Sequence, residues 1–181
     1  MILRPSFFFI LIFFLSNGFC WSFGINQKKY QQYESELNFL LSDIGKKNKH
    51  QTLNKMLDLA KKNFPPAMHA LADIFLVGDG CEVNKTKAIL WYMDADEKNY
   101  LPSTLCLGII LLNGEAGTTN MVLGYYYLLK VAFRSPFNKE EQLIIDIANE
   151  KVKEKSHLLC KGEKDQAFFM LQQDFIKKMK K

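Results

Sequence analysis

An imidazole is the side chain that titrates near neutral pH, and the chain holds 3 histidines, His50, His69 and His157, in three separate segments. None stands with a serine in a glycine elbow or with an orienting acid in the order that nucleophilic catalysis uses. His69 and Asp73 are four residues apart, so one helix face would bring them together, but that spacing arises often without a catalytic role. Asp94, Asp96 and Glu97 gather at the end of one predicted helix and read as a solvated acidic patch. The sequence has no Cys-x2-Cys pair, no His-Glu-x2-His and no calcium loop of alternating acids, so no metal or cofactor site is expected. Three cysteines, Cys81, Cys106 and Cys160, follow Cys20. A Cys81–Cys106 bridge would need an oxidising compartment, and separate thiols are the simpler reading. A carboxylate pair for glycan cleavage needs only proximity in space, which no local pattern reveals.

The elements that would have to position these groups follow from composition and periodicity. A chain of 181 residues with 48% apolar and 24% charged residues has room for one domain or a stack of short repeats, which excludes a disordered or multi-span membrane protein. Net charge is +5, and the lysines at 46, 47 and 49, at 61 and 62, and from 177 to 181 are distributed along a chain that also carries acids, so a solvated face is favoured over a nucleic-acid surface.

The first segment is a targeting signal in pattern: Arg4, then an apolar run from Phe7 to Leu15, then small and polar residues from Ser16 to Gly18. Residues 1–22 are therefore expected to be a signal peptide, cut after Cys20 or Ser22, which makes the protein secreted or periplasmic. An uncleaved anchor is the alternative, because no charge occurs between Pro5 and Gln27. A lipid-anchored Cys20 is disfavoured by the bulky Phe19 before it.

Internal repetition fixes the rest. Placing Ala67–Asn99 over Ser103–Ser135 gives an offset of 103 − 67 = 36 residues. Leu71 then falls on Leu107, Ala72 on Gly108, Phe75 on Leu111, Gly78 on Gly114, Asn84 on Asn120, Ala88 on Gly124 and Trp91 on Tyr127. Backward, Asn63 falls on Asn99 and Phe64 on Tyr100. Each unit has the grammar of a helical hairpin: an apolar 3.6-residue stripe, a glycine turn, an asparagine cap and a second stripe. Tyr30–Ile44 is amphipathic through Tyr33, Leu37, Leu40, Leu41 and Ile44, and should pair with a helix over Leu53–Ala60. A helix is expected over Gln142–Val152, with Leu143, Ile144, Ile147 and Ala148 on its stripe. After a polar loop from Ser156 to Glu163, a last helix should begin near Lys164 and bury Phe168, Leu171 and Phe175.

The pattern Ala67-(x3)-Leu71-Ala72-(x2)-Phe75-(x2)-Gly78-x-Gly80-(x7)-Ala88-(x2)-Trp91-Tyr92-(x2)-Ala95 resembles the Sel1-like repeat, a longer relative of the tetratricopeptide repeat. The second unit keeps Leu107-Gly108 but has Ala116 in place of a loop glycine and Gly124 where that family has alanine. The resemblance covers about residues 51–135. It implies an all-α, right-handed α-solenoid of stacked antiparallel helix pairs, with N-terminal helices and a degenerate half-repeat over 23–63, two repeats over 64–135 (about 67–102 and 103–135), and C-terminal capping helices over 136–181. It also implies a non-catalytic scaffold that binds a protein partner; membrane contact is expected only through the N-terminal segment, if that is left uncleaved. First helices line the concave side in this repeat class, so His69, Asp73 and Val77 should align there with Leu105, Ile109 and Asn113 as a partner-binding surface. If Leu105 and Ile109 are buried, they are core instead. The competing readings are a helical cell-wall or glycan-acting enzyme and a membrane-tethered accessory protein.

Overall fold

The computed structural model describes residues 27–43, 49–115 and 119–180; the signal-peptide segment, Ile44 and Ala116 lie outside the described residues. Eight α-helices and one 3-10 turn make up these residues, and no strand occurs among them. The helices are α1 (Gln27–Asp43), α2 (Lys49–Lys61), α3 (Pro65–Val77), α4 (Lys85–Glu97), α5 (Leu101–Asn113), α6 (Met121–Ala132), α7 (Lys139–Lys155) and α8 (Lys161–Met179). Each helix from α1 to α6 packs on the next in the chain, α7 also reaches α5, and α8 lies on α6. That is an α-solenoid of stacked hairpins.

The 36-residue period is written into the backbone. Asn63 and Asn99 take φ of 59° and 61°, a left-handed turn that asparagine tolerates. Phe64 and Tyr100 then stand extended before α3 and α5, each of which carries proline in its first turn. Gly78 and Gly114 close those helices with φ of 80° and 70°, and the next residue in each case, Asp79 or Glu115, donates its N–H to the carbonyl of Ile74 or Ile110 at 3.2 Å. Asn84 and Asn120 cap the second helices by accepting from Lys87 N at 2.9 Å and Leu123 N at 3.0 Å. Their own amides bond back to Phe75 O and Leu111 O, which ties the turn to the helix before it.

Leu71, Leu107, Met56, Leu59 and Phe64 are fully buried at 0% exposure, and one continuous core runs from Leu37 in α1 to Ala167 in α8. A second cluster, Leu101, Leu105, Leu112, Leu128 and Val131 with Ile145 and Ala148, joins the last repeat to α7. Trp91 and Tyr127 hold equivalent places in α4 and α6; Tyr127 is the more buried of the two, with α8 packed on α6.

The C-terminal helices depart from the expected bounds and faces. Helix α7 is longer than Gln142–Val152 because Asn138 caps it by accepting from Glu141 N at 2.8 Å. It buries Ile145 and Ala148 and leaves Leu143 exposed, a rotation of the stripe set by contact with both α5 and α6. Helix α8 starts at Lys161 rather than near Lys164, since Cys160 and Glu163 form a reciprocal cap. Its fully buried residue is Ala167, with Met170 and Leu171 partly buried, while Phe168 and Phe175 stand exposed. Among the described residues the helix packs chiefly on α6, and much of its apolar content is left exposed.

Candidate functional site

The repeat brings the first helices of successive units side by side, and a groove of about 560 Å³ opens along them. Helix α1 supplies Tyr30, Glu34, Leu37 and Leu41. Helix α3 supplies His69, Asp73 and Val77, the start of α5 gives Tyr100 to Pro102, and α7 adds Glu140, Glu141 and Ile144. Val77 at 71% and Leu41 at 42% exposure are apolar groups that the fold leaves open to a ligand.

Beneath one wall lies a polar brace. His69 Nδ1 and Ser103 Oγ share a hydrogen bond of 2.9 Å across the unit boundary, and His69 Nε2 sits 3.7 Å from Asp73 Oδ2. The Tyr92 hydroxyl donates to Asp73 Oδ1. The imidazole is flanked by the rings of Tyr92 and Tyr100, with centroids 5.4 Å and 5.5 Å away. Burial lowers the His69 pKa, and the Asp73 carboxylate offsets part of that shift. Burial also pushes the Tyr100 hydroxyl and the Cys106 thiol up to about 12 each. Ser103, His69 and Asp73 follow the order of a nucleophilic relay, but Ser103 is 0% exposed, so no substrate carbon can reach its oxygen. The group holds two units together and sets the face of α3 that looks into the groove.

A second buried polar group joins the second helices. The Asp96 carboxylate accepts from Thr104 Oγ1 and Lys130 Nζ, both at 2.6 Å, and Asp174 of α8 lies 3.8 Å from the same ammonium. The rings of Tyr126 and Tyr127 lie 6.0 Å and 5.8 Å from Lys130 Nζ. This corrects the reading of Asp94, Asp96 and Glu97 as one solvated patch: Asp96 is 6% exposed because α5 and α6 close over it. His69–Ser103 and Asp96–Lys130 both span 34 residues, one period less two, so each links a helix to its counterpart in the next unit.

Of the six residues expected to line the binding surface, His69, Asp73 and Val77 do line the groove. Leu105 is buried at 8% and Ile109 is partly buried, both against α7. Asn113 is exposed outside the groove, where its amide donates to Glu115 Oε1 at 2.9 Å. Periodicity places Leu105 beside α3 but is blind to α7, which breaks the register and takes the next place along the groove. Sequence reasoning misses Glu34, Leu41, Tyr100 and Glu140 as site residues, although Leu41 lies on the apolar stripe of α1. Cys81, Cys106 and Cys160 are free thiols. Among the described residues no cluster of three metal-ligating side chains occurs, and no helix is long and apolar enough to cross a membrane.

Stacked hairpins with caps, turns and interunit bonds repeated at one interval define a helical-repeat protein. No family model matches the chain, and no curated protein matches it significantly. Among solved structures it is similar to a protective antigen present in uropathogenic Escherichia coli strains that displays an SLR fold. The TM-score is 0.58 and the identity 18%, over 78% of this chain and 29% of that one. The chain therefore has a Sel1-like repeat fold, and it spans under a third of its neighbour's length.

Proposed function

We propose that the chain is an exported protein-binding module that scaffolds a partner in the groove of its first helices and performs no chemistry. The observation that carries this reading is the groove itself. Its walls come from four different helices, it keeps Val77 and Leu41 exposed, and its one imidazole is already engaged with Ser103 and Asp73. Exposed apolar groups on a rigid concave face suit a protein partner. Export rests on the pattern of residues 1–22, and sequencing the N-terminus of the exported protein distinguishes a cleaved signal from an anchor.

Affinity capture with the chain lacking residues 1–22 tests the module reading. A protein partner should be retained by the native chain and lost with Val77→Asp, which leaves the core untouched. A second reading has one observation in its favour, since carboxylates of α1, α3 and α7 share the groove. Turnover of peptidoglycan by the purified protein, abolished by Glu34→Gln or Glu140→Gln, would replace the scaffold with a glycan-acting enzyme.

A further inference from the structure

We infer that the groove selects a cationic stretch of polypeptide, rich in lysine or arginine with an apolar residue beside the charge; this rests on the protein-binding reading and adds the chemistry of the partner. The chain as a whole carries 24 basic against 19 acidic residues. Among the described residues, the formal charges that line the groove are nonetheless all negative: Glu34, Asp73, Asp79, Glu140 and Glu141. Cations are placed elsewhere, and the depression between α6 and α8 has Lys130, Arg134 and Lys178 on its walls. Such segregation gives the concave face a field opposite in sign to the net charge, and low-dielectric walls focus that field on whatever enters.

The carboxylates divide the work. Glu141 is 8% exposed and accepts from Phe137 N at 2.8 Å, so it adds field without contact. Asp73 binds Tyr92 through one oxygen, while its side chain keeps 53% exposure on the groove side of α3. Glu34 and Glu140 project from the opposing helices α1 and α7. Between them the Tyr100 ring, Val77 and Leu41 offer an apolar bed on which the methylene stem of a lysine or arginine can lie while its head reaches a carboxylate. A polypeptide suits a groove that crosses several helices, since alternate side chains can use both the bed and the acids.

Three peptides of equal length and equal apolar content test this, differing only in whether their polar positions are Lys/Arg, Gln or Glu. Fluorescence anisotropy with the chain lacking residues 1–22 should show the cationic peptide bound at least about tenfold more tightly than the Gln peptide, with affinity falling as salt rises. The double variant Glu34→Lys/Glu140→Lys should remove that preference, whereas Lys177→Glu/Lys180→Glu at the C-terminal end of α8 and just past it should leave it; circular dichroism checks that both variants fold. Equal binding of the Gln peptide, or a preference that survives the groove reversal, overturns the inference and leaves the module intact. So does failure of all three peptides when capture of a partner still depends on Val77. Failure of all three with capture indifferent to Val77→Asp overturns the module reading as well.

Discussion

Removing the Lys130 ammonium would leave the Asp96 carboxylate in a nearly dry site with the Thr104 hydroxyl as its remaining close partner. An uncompensated buried charge costs far more than the pair contributes, so Lys130→Met should destabilise the fold by about 3–5 kcal/mol, read from urea denaturation. Adding Asp96→Asn should recover much of that loss, because the second change removes the stranded charge. His69 makes a second residue-scale prediction. Its pKa is lowered in the folded chain, so the unfolded chain takes up the proton at higher pH than the folded one. Stability from this group is present above the unfolded value of 6.5 and is lost as pH falls below it. Urea midpoints at about pH 7.5 and about pH 5.5 should differ by more in the native chain than in His69→Gln.

Helices α5 and α6 approach through two glycines. A Cβ on Gly124 would meet the Leu112 backbone nitrogen at 2.9 Å and the Gly108 carbonyl oxygen at 3.0 Å, and neither backbone atom can swing aside. Helix propensity alone favours alanine over glycine by about 1 kcal/mol. The contact reverses that sign, so Gly124→Ala should destabilise by about 1–3 kcal/mol in denaturant titration. In the first repeat the same two places hold Ala72 and Ala88, so this close glycine-to-glycine crossing belongs to the second unit. On α8 the expectation is different. Phe175 is 66% exposed, and Phe175→Ser should change stability by no more than about 0.5 kcal/mol, measured in the same titration.

At the scale of the whole molecule, the last repeat depends on helix α7 for its cover. Leu101, Leu105, Leu112 and Leu128 are buried in one cluster with Ile145 and Ala148 of α7. A chain ended after Ser135 would expose that cluster, and light scattering should find it self-associated where the full chain is not. Helix α8 leaves Phe168, Phe169, Phe175, Ile176 and Met179 exposed among the described residues.

The repeat itself was open to view in the residues. Gly78 and Gly114 had to be left-handed turns, Asn84 and Asn120 had to be caps, and the apolar spacing had to be helical, since each follows from local backbone geometry and side-chain reach. His69, Asp73 and Val77 could be aligned with Leu105, Ile109 and Asn113 because a fixed period fixes which helix faces correspond, while their placement on the concave side came from the resemblance to the Sel1-like repeat. Local patterns could not reveal which side chains the helices beyond the repeats would cover. Only three-dimensional packing decided that α7 would cover Leu105 and Ile109, that α5 and α6 would enclose Asp96, and that Glu34 and Glu140, over a hundred residues apart, would share a groove with Asp73. Burial and electric field are sums over neighbours distant in the chain, and such sums exist only once the chain has folded.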